Sequence, residues 1–170
     1  MDNAQQDTES PILASSLPER VEAAFAEGGA LSQALPAFEA RDSQREMAVG
    51  VAEIFESGGV LLAEAGTGIG KTLAYLVPAI LSGHRVLLST GTKQLQDQVY
   101  YKDLPALREA LDARFTATYM KGRGNYLCLH RFDAYHNGDE ARTPTDQGYV
   151  EDIAEWARQT ETGDRTEIED

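Results

Sequence analysis

One cysteine, Cys128, stands in a chain of 170 residues, so no internal disulfide can form. Long apolar runs are missing as well. No stretch reaches the roughly eighteen apolar residues that a membrane helix requires. The first ten residues are polar and include Asp2, Asp7 and Glu9. A secretory signal needs a basic start and an apolar stretch, and neither is there. These absences predict a cytoplasmic protein with no membrane partner. His84, His130 and His136 are too scattered along the chain to suggest a metal site. Hydrophobic residues make up 42%, slightly below the usual range, which supports a core over part of the chain rather than all of it.

Basic residues are also scarce overall. The formal net charge is −13, which argues at first against a nucleic-acid partner. The distribution changes that reading. Between Arg85 and Arg131 there are eight Lys/Arg and four Asp/Glu, while the last stretch, Asp139–Asp170, has eleven acids against three bases. A locally basic middle lies between acidic ends. On charge alone, an unevenly solvated surface is a better explanation than a binding site.

What the chain does contain is a sequence of helix and strand signals. Residues 1–17 read as a flexible polar leader. Pro18 opens a helix that runs to Glu27 and stops at Gly28-Gly29. Asp42 is placed to cap a second, with Met47, Val49, Val51, Ile54 and Phe55 as its apolar positions. Val60–Ala63, Arg85–Ser89 and Phe115–Met120 read as buried strands. Thr72–Leu81, Thr92–Tyr101 and Leu107–Ala113 read as helices, the first interrupted by Pro78. Strands alternating with helices predict an α/β fold with a parallel sheet. After Lys121 the pattern weakens. His136–Gly148 reads as a loop, Tyr149–Gln159 as a helix, and Thr160–Asp170 as a disordered end.

One segment carries explicit chemistry: Ala65-Gly66-Thr67-Gly68-Ile69-Gly70-Lys71-Thr72. Triphosphate binding requires backbone N–H groups converging on an anion, with a helix N-terminus behind them. Gly66, Gly68 and Gly70 permit that backbone, Lys71 supplies positive charge for the β/γ-phosphates, and the Thr72 hydroxyl suits Mg²⁺. Ala65 stands where the strict pattern has its first glycine. Glu64, just before the loop, is as readily a plain surface carboxylate as a contact to the loop or the metal shell. Upstream, Phe38-Glu39-Ala40-Arg41-Asp42-Ser43-Gln44 offers an amide for the N6/N7 edge of adenine and an aromatic ring to stack on it. Alone, Arg41-x-x-Gln44 is an ordinary helix start.

Three further segments follow in order: Arg41-x-x-Gln44 precedes the loop, and Ser89-Thr-Gly-Thr-Lys-Gln-Leu-Gln-Asp-Gln98 and Lys121-Gly-Arg-Gly-Asn-Tyr-Leu-Cys128 come after it. Over roughly Leu31 to His130 the chain resembles the DinG/XPD-type superfamily 2 iron–sulfur DNA helicases, most of all the YoaA-like branch. The resemblance implies a partial RecA-like P-loop motor domain over residues 18–120, followed over 121–170 by the start of an iron–sulfur cluster domain. It assigns Arg41 and Gln44 to adenine sensing and Gly66 to Thr72 to ATP and Mg²⁺. It assigns Ser89, Thr90, Thr92, Gln94 and Gln98 to the backbone of single-stranded DNA. It makes Cys128 the first of four ligands of a [4Fe–4S] cluster, although a lone cysteine is more often a buried, inert thiol. It also implies 5′-to-3′ translocation and a role in DNA repair.

An ATPase of this kind further needs an acid that orients Mg²⁺ and water. Asp139-Glu140-Ala141-Arg142 has part of such a box, but it ends in arginine and has no apolar strand before it, so we reject it. On this reading the chain is an N-terminal fragment that holds ATP with little or no turnover. Two other readings stay open. A small-molecule kinase would need a lid arginine and an acceptor site, and neither has a candidate here. A non-catalytic nucleotide-binding module fits the lack of a catalytic acid.

Overall fold

Ser16 and Glu19 begin the first helix, α1 (Leu17–Phe25), with a reciprocal cap. The Ser16 side chain accepts from the Glu19 N–H, and the Glu19 carboxylate accepts from the Ser16 N–H at 2.9 Å. This geometry comes from a computed structural model that describes residues 15–138 and 143–168. The predicted leader therefore lies outside the described residues up to position 14, as does the rejected Asp139–Arg142 segment. The chain divides into two compact units, one through Thr118 and one from Tyr119 onward.

The first unit is built from helices whose apolar positions recur every three or four residues. Leu17, Val21, Ala24 and Phe25 of α1 are buried. So is Leu31 of α2 (Ala30–Ala34). On α3 (Asp42–Ser57) the buried positions are Gln44, Ala48 and Ala52, four apart on one face. On α4 (Lys71–Ser82) they are Ala74, Leu76, Val77 and Pro78. The helix α3 packs against both α1 and α4. Its small buried residues, Ala48 and Ala52, keep those backbones close. Full burial of Phe25 and Leu31 contributes about 2 kcal/mol each. The Leu17 N–H also donates to Glu56 Oε1 at 2.6 Å, tying the start of α1 to the end of α3.

Two boundaries differ from the sequence reading in an instructive way. Arg41, not Asp42, is the cap of α3, and Asp42 is its first residue, where its charge favours the helix N-terminus. Pro78 does not cut α4 short. The helix runs on to Ser82 and stops at Gly83, whose φ of +67° suits glycine.

The parallel sheet is not found. Among the described residues there is no strand, and the only β-type pairing recorded is an isolated antiparallel bridge between Tyr126 and Asp164. Val60–Ala63, Arg85–Ser89 and Phe115–Met120 carry no strand assignment. Most of their apolar side chains face solvent: Leu62 is 93% exposed and Leu87 is 94% exposed, while Phe115 is half-buried under Arg108. The physical reason is that a strand exists only through hydrogen bonds to a neighbour. An apolar run signals a segment suited to burial, but it does not supply the partner backbone. The predicted α/β, RecA-like sheet architecture is therefore corrected to a helical one.

Beyond the first glycine-rich stretch, Thr92 caps α5 (Lys93–Gln98) by accepting from the Leu95 N–H at 3.2 Å. The helix then widens into a π turn over Val99–Asp103 before resuming as α6 (Leu104–Ala110). The predicted helix over Thr92–Tyr101 is thus longer and has a different pitch within it.

The second unit holds a 3₁₀ turn at Arg123–Asn125, α7 (Leu129–His136), α8 (Pro144–Gln159) and a 3₁₀ turn at Arg165–Glu167. Helix α8 starts five residues before the predicted Tyr149, because Thr143 and Asp146 form a second capping box. The last residues are ordered through 168, contrary to the expected disordered end. Leu127 N–H donates to the Gly163 carbonyl at 2.9 Å, and Thr160 Oγ1 donates to Glu167 at 2.6 Å. A buried ion pair holds this arrangement: Lys121 Nζ lies 2.7 Å from Asp164 Oδ2. Local composition alone did not reveal it, since the partners are far apart in sequence.

Candidate functional site

The phosphate loop leads directly into α4. Gly68 and Gly70 both have φ of +82°, a region that L side chains rarely adopt. Gly70 forms the N-cap of α4, so the first free N–H groups of that helix open onto the loop. Lys71 Nζ donates to the carbonyls of Ala65 and Gly66, both at 2.8 Å. The ammonium is thereby held across the mouth of the loop, half-buried. An incoming phosphate would exchange these carbonyl contacts for stronger charge-assisted ones. Thr72 follows on the first turn, also half-buried, and Thr67 and Ile69 complete the loop. Glu64 is exposed.

Two side chains from the start of α3 brace the loop from outside. Gln44, only 3% exposed, donates from Nε2 to the Gly70 carbonyl at 2.8 Å. Arg41 donates from one guanidinium nitrogen to the Gly68 carbonyl and pairs through the other with Glu39 at 2.9 Å. Both residues had been read toward adenine. The geometry gives each of them a contact to the loop backbone, 26 and 27 residues along the chain. Residue spacing carries no signal for such a long-range brace.

Beside the loop lies a cavity of about 440 Å³, a size typical of small-molecule sites. It touches the far half of the loop at Gly68, Ile69, Gly70 and Thr72. Leu35, Pro36 and Phe38 form an apolar wall, and Arg41 and Gln44 border it. The Phe38 ring is steadied from behind by Phe25, with ring centroids 6.1 Å apart. An apolar wall with an aromatic ring next to a phosphate loop suits a nucleobase.

The segment read toward DNA divides in two. Ser89 and Gln94 are exposed. Thr90 Oγ1 donates to the Thr92 carbonyl at 3.1 Å, and the Thr92 hydroxyl serves as the cap of α5. Gln98 lies elsewhere. It lines the cavity beside the loop and donates from Nε2 to Asp103 Oδ2 at 3.1 Å. Lys102, Asp103 and Ala106 line the same cavity and were not singled out from the sequence. The four-residue spacing of Gln98 and Lys102 was the available clue.

Cys128 is exposed at the N-cap of α7. Among the described residues, no three His, Cys, Asp or Glu side chains come together as a metal site. A [4Fe–4S] cluster needs four thiolates. The residues present do not fit one by themselves. No helix among the described residues is long and apolar enough to cross a membrane.

Comparison with known proteins agrees with the loop chemistry. Residues 44–124 match the DEAD/DEAH box helicase family, a span running from Gln44 past the loop to Gly124. The chain is 45% identical over 142 residues to the ATP-dependent DNA helicase YoaA of Escherichia coli K12, covering 82% of this chain and 22% of that protein. It is 41% identical to the YoaA of Haemophilus influenzae over 84% of this chain and 22% of that protein. It is 35% identical to the 3'-5' exonuclease DinG of Bacillus subtilis over 82% of this chain and 15% of that protein. The chain spans about a fifth of the length of these relatives. These matches make the chain similar over most of its length to part of the YoaA and DinG proteins.

Proposed function

We propose that this chain is the ATP-binding part of an ATP-dependent DNA helicase that moves 5′ to 3′ on single-stranded DNA in the cytoplasm, in the service of DNA repair. The observation that carries the reading is Lys71, held at 2.8 Å on the carbonyls of Ala65 and Gly66 where the glycine loop enters α4. The backbone N–H groups of the loop and of the first turn of α4 cradle the β- and γ-phosphates. Lys71 neutralises their charge, and the Thr72 hydroxyl orients toward Mg²⁺. An Mg²⁺ ion held there with the nucleotide would supply polarisation of the terminal phosphate. Gln44 and Arg41 hold the loop open against its own flexibility and edge the base site, where Phe38 offers a stacking face. Ser89, Thr90, Thr92 and Gln94 supply hydroxyls and amides for DNA phosphates, a contact that holds the strand without reading its bases. Cys128 would supply one thiolate to a [4Fe–4S] cluster only together with three thiolates from outside these 170 residues.

Titration of the 170-residue chain with ATP and Mg²⁺ tests the first step. Saturable binding is expected, and Lys71→Ala should weaken it by a hundredfold or more, about 3 kcal/mol. Hydrolysis by this chain should be slow, and in the longer protein it should rise strongly with single-stranded DNA. Equal binding by wild type and Lys71→Ala would remove the basis of the reading. Turnover that ignores DNA but needs a small hydroxyl compound would redirect it to a kinase.

A further inference from the structure

The loop and the 35–44 segment account for two walls of the cavity. A third comes from the helical stretch after Thr92, through Gln98, Lys102, Asp103 and Ala106. In a regular α-helix, residues 98 and 103 would point to different sides, since five residues advance about one and two-fifths turns. Here the helix widens into a π turn over Val99–Asp103. Its i→i+5 pitch brings residues five apart onto one side. Gln98 and Asp103 consequently meet, with Nε2 donating to Oδ2 at 3.1 Å. Such turns concentrate at functional sites.

Asp103 is half-buried, and its second oxygen, Oδ1, takes no hydrogen bond among the described residues. An ionised carboxylate accepts and never donates. It repels phosphates and finds no donor in the ring nitrogens of adenine, whose free positions are all acceptors. The nucleoside half of ATP offers it two kinds of donor, the sugar hydroxyls and the 6-amino group. We propose that Asp103 is a nucleoside-recognition residue, accepting a hydrogen bond from one of these donors while Gln98 sets the orientation of its carboxylate. This rests on the reading of the cavity as the nucleotide site. It also gives Gln98 a position linking the end of the 89–98 segment to the bound nucleotide.

The test compares the affinity of the chain for ATP, for 2′,3′-dideoxy-ATP, which lacks the hydroxyls, and for purine riboside triphosphate, which lacks the amino group. Wild type should bind one of the two analogues about tenfold more weakly than ATP, the worth of one charge-assisted hydrogen bond. In Asp103→Ala the loss should appear with ATP itself, and the discrimination against that analogue should vanish. Alanine is the best helix former, and circular dichroism checks that the helix persists. Gln98→Ala serves as a second variant and should lose part of the same discrimination. Which analogue is affected identifies the donor. If wild type discriminates against neither analogue, or if Asp103→Ala discriminates as wild type does, the proposal is overturned. In that case Lys71-dependent ATP binding still stands. If the chain binds no ATP at all, the nucleotide reading falls and the proposal falls with it.

Discussion

A Cβ atom built on Gly70 would stand 2.0 Å from Gln44 Nε2, whereas one on Gly68 would meet nothing within 4 Å. Both residues have φ of +82°, so both substitutions bear a backbone strain of about 1–2 kcal/mol. Only Gly70→Ala also dislodges the buried Gln44 amide and strips the Gly70 carbonyl of its donor. Gly70→Ala should therefore weaken ATP binding at least tenfold more than Gly68→Ala, measured by titration of the two variants. Equal losses would show that Gln44 does not brace the loop. At this scale the shape of the loop was readable because Gly66, Gly68, Gly70, Lys71 and Thr72 lie within seven consecutive positions, and a local motif expresses a local turn into a helix. The partners of Gln44 and Arg41 were not readable. Their contacts cross more than twenty residues, and a polar side chain at a helix start looks the same whether it faces solvent, a base or a carbonyl.

Helices were more legible than strands, for reasons of bonding. An α-helix satisfies its backbone within one segment, so the period of its apolar residues and its caps suffice to announce it. The Pro18 start and Glu27 end of α1 and the Thr72 start of α4 were read to within two residues. Helix α8 was read short because its capping box begins in a polar stretch that looked like a loop. A strand depends on a second segment, and the runs at 60–63, 85–89 and 115–120 have no such partner among the described residues. Their exposed side chains have a measurable consequence. Apolar surface left in water favours association between molecules. Replacing Leu62 and Leu87, 93% and 94% exposed, with lysine should reduce concentration-dependent light scattering without loss of helical signal. Unchanged scattering would mean that these side chains do not drive association.

At the scale of the whole molecule, the C-terminal unit depends on a contact between its two ends. Lys121 and Asp164 are 4% and 2% exposed at their side chains and lie 2.7 Å apart. Burial pushes the Asp164 carboxyl up. Hydrogen bonds from Lys121 and from the backbone and hydroxyl of Thr166, together with the charge of Lys121, more than offset that, leaving it below its ordinary value of 3.8. A carboxyl lowered in the folded state stabilises fully above its unfolded pKa and loses that contribution as pH falls through the folded one. Residues 119–168 should thus loosen in acid below the usual carboxylate range, seen as faster amide exchange at Leu127, whose N–H bonds to Gly163. Asp164→Ala should produce the same loosening at neutral pH, by about 3 kcal/mol, because it takes the carboxylate away from a buried Lys121 charge. Protection at Leu127 that ignores both the substitution and pH would show that the pair does not hold the unit.

Sequence alone determined that a glycine-rich loop ending in Lys71-Thr72 leads into a helix and that the middle of the chain is locally basic. Those features are local, and local spacing or charge expresses them. It also determined the likeness to DNA helicases, because four short motifs keep their order. Tertiary structure decided the rest: that Gln44 braces Gly70, that Gln98 and Asp103 share a wall of the cavity beside the loop, that Lys121 closes on Asp164, and that the apolar runs do not pair among the described residues. Each of these depends on which distant segments meet, and a one-dimensional pattern carries no record of that meeting.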